Sequence, residues 1–391
     1  MLTSLSRRGF LALGCSAAAA PLVTPVTLAA APWDQRLVVI ILRGAMDGLD
    51  VLRPVGDPDF AALRPTLLAG PEAPDLDGFY ALHPGLADLM PLWRTGELGF
   101  VHAVSTPYRD KRSHFDGQDL LEAGTGFDVG TSAIRDGWLN RMLQTMPGVR
   151  AETAYAIGTG DMLVLRGEAP GSSWSPEADL ELTPQARDLM RLVARHDPMF
   201  RDAVGGAIGI VESLETEAAM SGTAKPPKAH QALASFAAGR LKGETRIAAF
   251  SINGWDTHSR QSHALQRPLQ ALSETLLVLR DELGPVWGQT AVVALTEFGR
   301  TARENGTGGT DHGTGGAMVL AGGAVRGGQV YGDWPGLGDL DLYKARDLMP
   351  TADVRAYAAA AMRGLFGLDR AALERQIFPG LQMQTTPTII L

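Results

Sequence analysis

The sequence predicts an α/β protein, a three-layer sandwich around a mostly parallel central sheet. Two observations predict it: five apolar runs each end abruptly in a polar loop, and helical patterns lie between them. Strands that alternate with helices imply crossover connections and hence a parallel sheet.

The first run, residues 37–42 (LVVIIL), is continuously apolar and rich in β-branched side chains, the mark of a strand buried on both faces. It ends in RGAMDG at 43–48. Residues 98–105, 246–252 and 291–296 repeat that grammar, and 317–321 (AMVLA) has glycine on both sides. Residues 84–96, 115–123 and 268–283 carry the 3.6-residue periodicity of helices packed on a sheet. Residues 150–235 are less regular. A helical pattern at 180–220 and a linker-like stretch at 221–228 (SGTAKPPK) make this a helical insertion on the single domain 32–391.

Composition narrows the function. In 391 residues there are 46 glycines, 24 prolines and one cysteine, with net charge −8, so nothing suggests a nucleic-acid partner. Residues 1–31 read as a signal peptide: Arg7 and Arg8 follow Ser6, Phe10 and Leu11 come next, and a short apolar stretch leads to a small-residue segment. The S-R-R-x-F-L pattern resembles the twin-arginine motif, so the export machinery is an expected partner and the periplasm or exterior the expected destination. The apolar run is too short for a stable membrane anchor, and acylation of Cys15 fits its preceding residues poorly. Cleavage near Ala29 removes Cys15 and leaves any metal to Asp, Glu and His.

Ligands of open α/β sheets bind beyond the carboxyl ends of the strands. Those positions here collect Asp47 after the first strand, Ser113 and His114 after the second, and Asp256 and His258 after the third. Glu297 and Arg300 follow the fourth, and Asp311 and His312 lie in the next loop. Singly each has a bland explanation: an Asp after a strand caps a turn, Ser113 caps a helix, and Arg300 pairs with a carboxylate. His83, His102, His196, His230 and His263 take structural readings of that kind, with His83 starting the helix at Pro84. Together the strand-end residues are harder to dismiss, because independent caps have no reason to set imidazole beside carboxylate repeatedly. Such a donor set without thiolate suits Zn, Mn or Fe, with Ca or Mg where oxygens dominate. Arg300 could hold a substrate oxygen, and a helix start at Ser113 offers N–H donors to an anion.

The motifs RGAMDGL (43–49), RSHFDGQ (112–118), GWDTH (254–258), TEFGR (296–300) and GTDHG (309–313) resemble the domain of unknown function 1501 family. That family looks like a remote branch of the alkaline phosphatase and sulfatase superfamily, which implies an alkaline phosphatase-like sandwich with one or two metals at the strand ends. The resemblance implies that Asp47 is a first-strand metal ligand, that Ser113 stands near the nucleophile's place, and that Asp256, His258 and His312 hold one metal. Glu297 takes the place of a second metal's aspartate. Phe298 stands where the superfamily has a histidine, so one ligand of the second metal is missing or supplied by another residue such as His114. Residues 105–109 (STPYR) partly echo the sulfatase C/S-x-P-S-R pattern, but a mature chain without cysteine excludes the cysteine-derived aldehyde chemistry. The expected function is an exported hydrolase of a phosphate or sulfate ester, dependent on a divalent metal, zinc foremost. A small anionic ester is its substrate, and the Ser113 hydroxyl or metal-activated water attacks. The alternative is a non-catalytic exported protein that keeps the fold to bind a ligand.

Overall fold

Strand β1 (Arg36–Arg43) forms because alternate side chains of its apolar run bury on opposite faces of one sheet. Val38, Ile40 and Leu42 pack against one helical layer and Leu37, Val39 and Ile41 against the other. The first layer holds helices Ala229–Lys242 and Gln266–Leu283; the second holds Trp138–Thr145 and Val354–Phe366. Each fully buried side chain of this size contributes about 1.5–3 kcal/mol through lost apolar exposure. A charge at Ile40 would therefore strike the centre of the sandwich. The computed structural model describes residues 33–126, 134–158, 162–175, 228–383 and 388–391. The segment expected to be a signal peptide, Cys15, His196 and the stretch 180–220 expected to be helical lie outside the described residues.

All five expected strands form: β1, β4 (Leu98–Ser105), β7 (Ile247–Asn253), β8 (Thr290–Leu295) and β9 (Gly316–Ala321). With β5 (Ala154–Ile157), β6 (Ser172–Trp174), β10 (Val330–Tyr331) and β11 (Ala352–Asp353) they make one sheet. Its order is β10-β4-β9-β8-β1-β7-β5-β6, with β11 also on β4. A separate ribbon pairs β2 (Leu52–Arg53) with β3 (Ala81–Leu82). The sheet is parallel except at β9, which runs antiparallel to β4 and β8. Because β9 is reversed, its first residue lies at the edge where β1, β4, β7 and β8 end, and the connection 296–315 stays at that edge.

The helical insertion needs correction at both ends. Residues 154–157 and 172–174 are strands of the main sheet, parallel to β7 and to each other. Helix Ala229–Lys242 belongs to the layer packed on that sheet.

Helix His114–Ala123 begins at Ser113, whose hydroxyl accepts from the Asp116 N–H, and ends at Gly124 in the left-handed region. A Cβ at Gly124 would meet Trp138 and Phe378 at 2.9 Å, so the stop is fixed by packing as well as by φ. His83 caps the 3₁₀ turn Pro84–Leu89 through Nδ1, as expected.

Candidate metal centre

The carboxyl edge brings four side chains together. Asp256 and His258 arrive on the loop after β7, His312 on the connection from β8 to β9, and His114 from the first turn of its helix. Ligand atoms of His114, Asp256 and His312 lie within 4.8 Å of one another. Asp256 Oδ1 stands 3.0 Å from His258 Nε2, 3.3 Å from His312 Nε2 and 3.4 Å from His114 Nε2. His258 Nε2 and His312 Nε2 are 2.9 Å apart.

Each imidazole is held from behind through its other nitrogen. His114 Nδ1 is 2.8 Å from Glu297 Oε1, His312 Nδ1 is 2.9 Å from the Arg112 carbonyl, and His258 Nδ1 is 3.3 Å from Asp311 Oδ1. A carbonyl or carboxylate can only accept, so the proton of each neutral ring sits on Nδ1 and the Nε2 lone pair faces the cluster. The three Nε2 lone pairs thus face the Asp256 carboxylate oxygen, an arrangement that a cation would satisfy. His114 Nε2 is buried with no hydrogen-bond partner among the described residues. Donors at about 2.0–2.1 Å from a tetrahedral zinc stand about 3.3 Å apart, close to the Asp256–His114 and Asp256–His312 spacings, while His258 reaches this group through Asp256 and His312. The donor set therefore fits a metal, and the Nδ1 contacts are the outer partners that fix metal-binding histidines.

Electrostatics agree. Burial opposes ionisation of Asp256, but the Arg300 hydrogen bond and the charges of Arg300, His258 and His114 outweigh it and lower its pKa. Glu297 is likewise buried and held ionised by His114, Gln118 and backbone N–H groups. The bond to Glu297 raises the His114 pKa against its own burial. Burial, with Arg300 and His114 nearby, lowers that of His312.

Other predicted residues serve differently. Glu297 is not at a second metal: its Oε1 accepts from Gly44 N, His114 Nδ1 and Gln118 Nε2, and it positions His114. Asp311 is exposed and positions His258. Asp47 leaves the centre altogether. It caps helix Gly48–Val51, takes both Arg64 nitrogens at 2.6 and 3.0 Å, and accepts from Gln261. The expected first-strand ligand is a buried partner of Arg64 because Arg64 has no exposed surface and needs a counter-charge. Arg300 is also turned inward. Its donors go to the carbonyls of Gly44, Ala45, Trp255 and Thr310, to Asp256 and, at 3.5 Å, to His258 Nε2, so it ties the β1 loop to the two loops that carry Asp256, His258 and His312 instead of offering its fork to substrate. Gly44 has φ +117° and lies so near Asp256 N that a Cβ would sit 2.6 Å from it. Ser113 remains next to His114 as the helix cap.

Sequence reasoning missed three contributors. Phe298, read as a lost ligand, stacks on His114 at 5.2 Å between ring centres. The Arg112 carbonyl carries no sequence signal at all; Arg112 adopts φ +54° as it meets His312. Gln261 ties Asp47 to Thr257 and Thr310, beside the ligands, and only its burial reveals it.

Residues 103–377 match the family described as Protein of unknown function (DUF1501). The chain belongs to that family. The match includes the four converging residues and omits Asp47. No curated protein matches the sequence. Among solved structures the chain is similar to the lipoteichoic acid synthase LtaP from Listeria monocytogenes, at 9% identity and TM-score 0.35, covering 68% of this chain and 57% of that one. It is also similar to the C-terminal periplasmic domain of EptC from Escherichia coli in complex with Zn, at 8% identity and TM-score 0.36, covering 74% and 73%. A protein in the alkaline phosphatase superfamily from Vibrio parahaemolyticus matches at 12% identity and TM-score 0.31, covering 82% and 69%. Among the described residues no helix is long and apolar enough to cross a membrane.

Proposed function

We propose that the protein is an exported metal-dependent hydrolase of a phosphate or sulfate ester, acting at the centre of His114, Asp256, His258 and His312. The observation that carries this reading is the convergence of three imidazole Nε2 atoms on Asp256 Oδ1, each ring anchored through Nδ1. Three imidazoles with one carboxylate favour zinc. When bound, the metal supplies Lewis acidity toward a phosphoryl or sulfuryl oxygen.

The chain's own residues prepare the site. Glu297, Asp311 and the Arg112 carbonyl keep the ring protons on Nδ1, and Arg300 keeps Asp256 ionised and its loop in place. Phe298 walls off one side of His114. The attacking group is the Ser113 hydroxyl, at the head of the helix beside His114, or a water. The substrate is a small anionic ester.

The test pairs metal analysis of the purified mature protein with turnover of aryl phosphate and aryl sulfate. We expect a single divalent ion per chain and turnover that Asp256→Ala abolishes. Loss of turnover in Ser113→Ala with the metal retained assigns the serine as nucleophile; retained turnover assigns water. A protein with neither metal nor turnover sensitive to Asp256→Ala refutes the proposal.

One observation favours a second reading, a metal-holding binding protein without catalysis: Arg300 has every donor engaged and offers no cation to a transition state. That reading predicts bound metal, no turnover, and a melting temperature lowered by chelation.

A further inference from the structure

We infer that Gln261 is a positioning residue of this site: its side-chain amide sets the spacing of the two loops that carry Asp256, His258 and His312, and ties that spacing to a buried ion cluster. The inference rests on the proposed metal centre and takes nothing from the hydrolysis. Gln261 has no exposed surface and opens the short helix Gln261–Ala264. The residue before it, Arg260, adopts φ +45°, which a non-glycine residue keeps only where its surroundings impose it. Those surroundings are the second loop, since the N–H groups of Arg260 and Gln261 donate to the carbonyls of Thr307 and Gly308. In the side chain, Oε1 accepts from Thr257 Oγ1 at 2.9 Å and from Thr310 Oγ1 at 2.7 Å. Thr257 lies between Asp256 and His258, and Thr310 lies two residues before His312. One oxygen atom thus joins the two loops.

Nε2 donates to Asp47 Oδ2 at 2.6 Å and to Asp50 Oδ2 at 2.9 Å. A primary amide has two donor hydrogens and two acceptor lone pairs, so the group is used to capacity, and all four of its partners are themselves buried. A carboxylate can only accept, which obliges Nε2 to face Asp47 and Asp50 and prevents the amide from turning over. Asp47 pairs with Arg64 and Asp50 with Arg53, two anions against two cations. A neutral bridge suits that balance. A carboxylate at 261 would set a third anion against the first two, and a hydrocarbon side chain would leave four buried polar groups short of a partner. The loops also touch directly: the Thr310 N–H donates to the Thr257 carbonyl at 3.2 Å, and a Cβ at Gly309 would sit 2.4 Å from the His258 carbonyl carbon. Metal ligands tolerate errors of only about 0.2 Å in distance, so a contact this close needs a fixed spacer, which the shared oxygen supplies.

The test uses Thr257→Val and Thr310→Val, each of which removes one hydroxyl and leaves Gln261 on its carboxylates. Zinc titration of the purified protein should show each valine variant binding about tenfold more weakly, with Thr257→Ser and Thr310→Ser back within about twofold of the wild type. Gln261→Met, which keeps the side-chain length and drops the amide, should lose at least as much. Leu279→Ala, a core truncation in the helix Gln266–Leu283, should lower the melting temperature and leave zinc affinity unchanged, which separates lost positioning from lost stability. In the metal-free protein the Thr310 N–H, which bridges the loops, should exchange with solvent faster in both valine variants than in the wild type. Valine variants that bind zinc like the wild type, a loss that serine does not restore, or unchanged exchange at Thr310 overturns the inference. A wild-type protein that takes up no zinc overturns the metal reading, and the spacing role of Gln261 then stands or falls on the exchange at Thr310 alone.

Discussion

Replacing Glu297 by glutamine isolates the charge behind His114. Glu297 Oε1 accepts from Gly44 N, His114 Nδ1 and Gln118 Nε2, all of which a glutamine oxygen can keep. Oε2 faces Thr296 Oγ1, whose hydrogen can go to the Leu42 carbonyl, leaving the hydroxyl oxygen to accept from the new amide. The bonds survive and the negative charge goes. Outer-shell partners of metal histidines are worth about 10–100-fold in affinity, or about 1.4–2.7 kcal/mol. Zinc titration against a chromogenic chelator should therefore show affinity lower by that factor in Glu297→Gln, with folding stability changed by less than about 1 kcal/mol. The pH profile should move too. Glu297 raises the His114 pKa, so protons compete with metal at higher pH in the wild type, and the acid limb of zinc binding shifts to lower pH in the variant. Affinity within twofold of wild type in a normally folded variant would refute the placing of Glu297 behind a metal ligand.

Asp47→Ala should cost about 3–5 kcal/mol in urea unfolding, because it leaves the fully buried Arg64 guanidinium without its carboxylate. Its zinc affinity should fall less than that of His312→Ala; the reverse pattern, intact stability with lost metal, would return Asp47 to the centre. His102 is buried, with Nε2 on the Leu52 carbonyl and Nδ1 accepting from Ala103 N, and burial pushes its pKa down to about 4. The unfolded chain takes up that proton first, so this stability is whole above pH about 6.5 and is lost as pH falls toward 4, by about 3 kcal/mol. NMR titration should find its ring neutral at pH 5, and a midpoint near 6.5 would contradict its burial.

The strands that could be read in the sequence were those whose continuous apolar runs require burial on both faces, and β1 and β8 matched to within a residue or so. β6 (SSW) could not be read, since a three-residue polar edge strand has no periodicity. Nor could the direction of β9, because the residues of a strand do not encode which way its neighbours run. The clustered histidines His114, His258 and His312 stood out because imidazole recurred beside carboxylate at strand ends. Which side chains converge and which stand behind them did not, for that depends on which ring nitrogen faces inward. Asp47 was misread because a partner so distant in sequence as Gln261 cannot be seen from its own loop, whereas the plain capping role offered for it was correct.

The reversal of β9 also bears on how this chain can change in length. Surface loops usually absorb insertions at little cost. The connection 296–315 is different, since its two arms continue the β8–β9 ladder: Gly299 N reaches Thr314 O, Gly313 N reaches Gly299 O, and Arg300 pairs with His312. One residue added to either arm would slip the register and swing His312 to the opposite side. Asn305 and Thr307 at the tip bind the His258 carbonyl, so the turn is tethered as well. Descendants of this gene should therefore vary little in the length of this segment, and a library of random insertions should be depleted there even when it tolerates changes in other exposed turns.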